Sequence, residues 1–241
     1  MNIALQLWAL RHTAACDLNY TLAQAADIGY DTVEFAGMHG HSPTAVRHML
    51  TRHGLKACSA HIGFDVVFQD PLVAAAHLRA VGCPALVLPT VPRTAWIPGL
   101  ADRLNTLGHT LSSHGLTLVL HNETDEFAPW QGSTLWHTLT PQLDPTCVQL
   151  QIDLFTAAQM GQDPLAIIDA SAGRLHSLHV IDWRGGAYTS IGTGDAPWPA
   201  ILHHAQAAGC RWLIVENDTP TAPFDDAAAS LRSLHTLRRS D

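Results

Sequence analysis

The sequence predicts a closed barrel of eight parallel strands alternating with helices, and three observations carry that prediction. A short apolar strand recurs eight times, at roughly 30 residues per unit. Glycine stands between a helical stretch and the next strand in six of the units. The opening strand runs into LQLWALR, with no glycine, whereas a doubly wound open sheet that binds a dinucleotide carries G-x-G-x-x-G there.

In chain order, NIALQLW is the first strand. Gly29 precedes YDTVEF, with Glu34 near its end, and Gly54 precedes LKACSAH, ending at His61. Gly82 precedes CPALVLP, and Gly115 precedes LTLVLH, ending at His121. The sixth strand, CVQLQID, follows Asp144-Pro145 and ends at Asp153. Gly173 leads to RLHSLHV with His179, and Gly209 to CRWLIVE with Glu216. Each glycine suits the position just past a helix, where φ turns positive and a Cβ is penalised. Ser42-Pro43, Asp70-Pro71 and Asp163-Pro164 read as an N-cap followed by proline in the first helical position. Strands rich in Leu, Val and Ile with little alternation suit parallel strands covered on both faces. The fold class is therefore α/β, a single (β/α)8 TIM barrel, and with no linker or composition break residues 1–241 read as one domain.

Composition narrows the function. A 241-residue chain with 47% hydrophobic residues has ample core, and 14% charged residues argue against disorder. A net charge of −8 and the absence of any Lys/Arg stripe speak against nucleic acid as the main partner. Lysine occurs once, at Lys56 early in strand three, which leaves no Schiff-base lysine at the strand ends. Five scattered cysteines without C-x-x-C read as reduced thiols, and MNIALQLWAL reads as a first strand rather than a signal peptide; both predict a cytoplasmic protein. No apolar run reaches the ~18 residues that span a bilayer.

The strand ends carry the chemistry. Glu34, His61, His121 with Glu123, Asp153, His179 with Asp182, and Glu216 converge on one mouth if the barrel closes. So many acids and imidazoles together would repel one another and lose solvation, and a cation removes both costs. Oxygen and nitrogen donors suit one divalent metal ion of the Mn²⁺, Zn²⁺, Co²⁺, Fe²⁺ or Mg²⁺ type. Trp8 and Phe35, with Phe155 and Trp183 behind them, are candidates to stack on the apolar face of a sugar. Gly192-Thr193-Gly194 lies after strand seven, where barrels often bind phosphate.

These segments resemble the xylose isomerase-like barrel superfamily, in its sugar phosphate isomerase/epimerase branch. The resemblance runs nearly end to end: IALQLWALR, DIGYDTVEFAG, GLKACSAHIGFD, LVLHNETDEF, LQIDLFTAAQMGQDP, LHSLHVIDWRGG with IGTGDAPWPAIL, and RWLIVENDTP. It implies a metal held by one ligand from each of strands five to eight, here His121, Asp153, His179 and Glu216. Most of the superfamily has Glu where His121 stands, so Glu123 is the alternative ligand. It also implies proton transfer beside a sugar carbonyl, with Glu216 as one acid or base, Glu123, His121 or a group elsewhere as its partner, and His61 among the catalytic residues. His61 and Glu34 would bind substrate oxygens, and Asp182 would orient His179 or bind substrate. Ile181 stands where the related H-V-K-D has lysine, which weakens the case for a phosphorylated substrate. The expected activity is isomerisation or epimerisation of a small carbohydrate. A lyase or dehydratase of a keto-sugar or inosose is the runner-up. A sugar-binding protein with a decayed site is a rival of another class. A DNA-repair endonuclease, encouraged only by His39-Gly40-His41, is the least favoured. Short loops at the mouth suggest a homo-oligomer whose second copy closes the site.

Overall fold

A computed structural model describes residues 1–239. Eight parallel strands close into a barrel. They are β1 (Asn2–Gln6), β2 (Thr32–Ala36), β3 (Lys56–His61), β4 (Ala85–Leu88), β5 (Thr117–His121), β6 (Val148–Asp153), β7 (Leu175–Val180) and β8 (Trp212–Val215). Each pairs with its sequence neighbours, and β1 pairs with β8, from Asn2 opposite Trp212 to Leu5 opposite Val215. The eight predicted strands are thus the eight that form.

The local signals act as the residue types require. Gly29 and Gly82 cap their helices at φ 115° and 86°. Ser42 accepts from the Ala45 amide, Asp70 from Leu72 and Val73, and Asp163 from Leu165 and Ala166. One unit departs from the repeat. Between β5 and β6 the chain forms a small hairpin, Pro129–Trp130 with Ser133–Thr134, and then only a short helix, Leu135–Leu139. Pro141 lies in the 3₁₀ turn that follows, and proline stops a helix from continuing.

Side-chain alternation divides the core in two. The large apolar cluster, including Leu5, Val33, Phe35, Leu86, Leu118, Leu150, Leu178 and Leu213, fills the layer between strands and helices. The inward residues form two small apolar groups, Ala4 with Cys58 and Ile214, and Ala85 with Val87 and Val119. Above them the interior turns polar, with Gln6, Glu34, Ser59, Gln151, Ser177 and His179 all buried. Stepping two residues along the strands, Val119 leads to His121 and Ile214 to Glu216, so the acids and imidazoles stand over this filling.

Candidate metal centre

The ends of β6, β7 and β8 bring three donors together. Ligand atoms of Asp153, His179 and Glu216 all lie within 4.8 Å of one another. Asp153 also caps the helix Leu154–Gln159 by accepting from the Thr156 amide at 2.6 Å, which fixes its carboxylate. His179 Nδ1 stands 2.5 Å from Glu216 Oε2, a buried ion-pair contact. A second group of ligand atoms, from His61, His121 and His179, also falls within 4.8 Å. His121 Nδ1 is buried without a partner, and its Nε2 stands 3.8 Å from Glu123 Oε1. The structure therefore joins Asp153, His179 and Glu216 directly and sets His121 beside His179. The oxygen and nitrogen donors and the orphaned ring nitrogen of His121 fit a divalent cation.

Glu34 is the hub beneath this centre. Its carboxylate accepts from Gln6 Nε2 at 2.7 Å, Gln151 Nε2 at 2.9 Å, His179 Nε2 at 2.6 Å and the Ser59 hydroxyl. His61 Nε2 lies 3.2 Å away. Burial alone would raise the Glu34 pKa, but His61 and His179 beside it hold it well below the usual range. Burial likewise works against charge on His179, and Glu216 and Glu34 overcome it, raising that imidazole. His121 goes the other way, lowered by burial and then by His179 and His61, so it is a neutral donor. Held between carboxylates, His179 orients through Glu34 on one nitrogen and presents the other to the mouth.

The mouth is rich in carboxylates. Burial, then Asp153 and Glu216, push Glu123 up to about 8, and burial raises Asp153 to about 6. A carboxyl whose pKa is raised on folding lowers stability as pH climbs from its ordinary value through the raised one. Glu123 is half-exposed, so screening leaves on the order of 1 kcal/mol of that effect. Glu123→Gln in the metal-free protein is therefore expected to raise Tm at pH 8.5 and leave it unchanged near pH 4. An unchanged Tm at both would show that Glu123 faces water rather than Asp153 and Glu216.

The remaining predicted residues divide. Trp8 is 45% exposed, with the Arg11 guanidinium 4.9 Å from its ring. Phe35 is buried in the layer between barrel and helices, because it follows inward-facing Glu34 by one residue, so it offers no stacking face inside the mouth. Glu34 is fully buried and saturated with partners, beneath the mouth rather than on it. Asp182 is also fully buried. It accepts from the Trp183, Gly192 and Ala196 amides and from Trp198 Nε1, so it closes the loop after β7. The Gly192 amide, expected at a phosphate site, is spent on that carboxylate. A Cβ on Gly194 would collide with Asp182 Oδ1 and the Trp183 carbonyl. Gly194→Ala is expected to cost about 1–3 kcal/mol and to loosen this loop, read as a lowered Tm and faster proteolysis after β7.

Sequence reading missed three residues at the site. Gln151, two before Asp153 and so on the same face, links His61 to Glu34. Asp218, two after Glu216, accepts at 2.8 Å from the Tyr188 hydroxyl, and burial and Glu216 raise its pKa. Tyr188 arrives on a hairpin, Asp182–Arg184 with Ala187–Thr189, and packs 4.1 Å from the Phe155 ring. The strand rule could have found the first two; nothing in the sequence signals the third.

His39 and His41 join no cluster of potential metal ligands among the described residues. No helix is long and apolar enough to cross a membrane. Among curated proteins none matches the chain significantly by sequence. Solved structures do match it. A sugar phosphate isomerase/epimerase from Parabacteroides distasonis superposes with a TM-score of 0.82 at 20% identity, over 97% of this chain and 93% of that one. An L-ribulose 3-epimerase gives 0.73 at 18% identity, over 100% and 97%. The IOLI protein, with a bound zinc atom, gives 0.79 at 14% identity, over 100% and 99%. At these identities the likeness shows the fold. The model of the xylose isomerase-like TIM barrel family matches residues 22–237. With barrel, strand order and match in agreement over nearly its whole length, the chain belongs to the xylose isomerase-like TIM barrel family.

Proposed function

We propose that the chain is a divalent-metal-dependent isomerase or epimerase of a small carbohydrate, which removes a proton from the carbon beside a carbonyl. The observation that carries this reading is the convergence of Asp153, His179 and Glu216 at the barrel mouth, with their ligand atoms all within 4.8 Å of one another. These three would hold the ion, with His121 as the strand-five donor in place of Glu123. When bound, the ion supplies Lewis acidity that polarises a carbonyl oxygen. Glu216 takes the proton from carbon, and Glu123 returns one. His61, 13% exposed at the floor of the mouth, binds a substrate hydroxyl. Trp8 offers the stacking face. Buried, apolar Ile181 and the carboxylates Glu123, Asp153, Glu216 and Asp218 favour an uncharged sugar over a phosphorylated one. The wider reading is a cytoplasmic single-domain enzyme, with unpaired cysteines, that works as a homo-oligomer.

The test is metal content by mass spectrometry, combined with exchange of substrate carbon-bound hydrogen in D₂O, followed by NMR on unphosphorylated ketoses. About one ion per chain at the mouth, lost in Glu216→Gln, and metal-dependent exchange are the expected results. A protein that takes up no Mn²⁺, Co²⁺ or Zn²⁺ would sink the reading and leave a sugar-binding protein. Metal without exchange would remove the enolising chemistry while keeping the site.

A further inference from the structure

A second set of metal-type donors lies outside the barrel, on residues that the proposed reaction does not use. His109 Nε2, on the helix Leu100–Ser113, stands 3.2 Å from Asp144 Oδ2, in the turn before β6. Cys147 Sγ joins them, and all three ligand atoms lie within 4.8 Å of one another.

The surroundings hold these donors in place. Asp144 Oδ1 accepts from the Thr146 amide at 2.9 Å and hydroxyl at 2.7 Å, which leaves Oδ2 to face His109. Asn105, one helical turn before His109, accepts from the Asp144 amide at 2.8 Å and donates to the Gln142 carbonyl at 3.1 Å. It clamps the turn to the helix. Gly108 lets the two approach: a Cβ there would meet the Cys147 carbonyl at 2.8 Å and Sγ at 2.9 Å. Glycine inside a helix costs roughly 1 kcal/mol relative to alanine, and this close approach is what the position obtains in return. Cys147 is buried, beside His109, whose side chain is 61% exposed. Among the described cysteines, only Cys147 falls in a group of potential ligands.

We propose that His109, Asp144 and Cys147 form a peripheral binding site for a zinc-class divalent cation, completed by water. One sulfur, one nitrogen and one oxygen donor suit a borderline-soft ion, unlike the oxygen- and nitrogen-only set at the mouth. As the metal–sulfur bond forms, the thiol proton passes to solvent and no redox step is involved. The ion would tie the helix before β5 to the start of β6, across the unit whose own crossover helix is shortest.

Cobalt separates this site from the mouth, because only a thiolate ligand gives a near-ultraviolet sulfur-to-cobalt charge-transfer band. Titrating the full chain with Co²⁺ is expected to produce that band, saturating when about one equivalent beyond that held at the mouth is bound. Cys147→Ser should abolish it, and Cys16→Ser should leave it. Glu216→Gln should leave the band while lowering total cobalt, so that failure at the mouth and failure here are told apart. His109→Asn, a surface change that spares the fold, should weaken the band-forming site by at least about tenfold. No band in the wild type, a band that survives Cys147→Ser, or undiminished affinity in His109→Asn would each overturn the proposal.

Discussion

Glutamine in place of Glu34 is expected to cost about 3–5 kcal/mol of stability, a fall in Tm of roughly 10 °C for a chain of this size. Gln6, Gln151, Ser59 and His179 all donate to this carboxylate, and His61 lies 3.2 Å from it. A carboxylate only accepts, so it satisfies all of them. The amide of glutamine would aim its own donors at one pair of these and remove the anion from between two imidazoles. With no exposure at the site, water cannot make up the loss. Thermal and urea unfolding followed by circular dichroism would read the change. A loss below about 1 kcal/mol would mean that the network re-forms around a neutral hub.

Glu216→Gln is expected to have the largest effect on activity. Under the proposed chemistry the residue both holds the ion and takes the proton. Losing the base alone removes about 10²–10⁴-fold in rate. Metal content and exchange rate, measured together at saturating Mn²⁺ or Co²⁺, separate the two roles. Metal retained with exchange lost would make Glu216 the base alone. Exchange retained above a tenth of the wild-type rate would move the base elsewhere, with Glu123 the next candidate. Asp153→Asn is the control, since it removes a donor without removing a base.

Much of this site was legible because a strand's geometry is simple. Glu34, His61, His121, Asp153, His179 and Glu216 each sit at or beside the C-terminal end of an apolar run, and parallel strands in a closed sheet send such ends to one mouth. What the sequence left open depends on rotamers and loop paths. Phe35 and Glu34 differ by one residue and so face opposite sides of the sheet, a parity visible only once the register is known. The resemblance implied that Asp182 orients His179 or binds substrate, but the loop after β7 folds back on it and consumes its oxygens. Tyr188 reaches Asp218 from 30 residues away across a hairpin, which periodicity does not encode. The shortening of the fifth crossover helix was hidden by the regular strand spacing, which the short helix and hairpin together preserve.

The polar filling of the barrel also bears on the order in which the chain assembles. Glu34 bonds partners 28, 117 and 145 residues away in sequence, so its contacts require β1, β2, β6 and β7 to be present at once. Closing such long loops is entropically costly, and no single one of these bonds compensates it. The apolar layer between strands and helices, built largely from adjacent units, can gather before the ring is shut. The interior network is therefore expected to form on the native side of the folding barrier, with its contribution falling on the unfolding rate, as φ-values near zero at Gln6 and Gln151 would show. The groups that steady the proposed metal centre from below would thus also set how long the closed barrel persists once made.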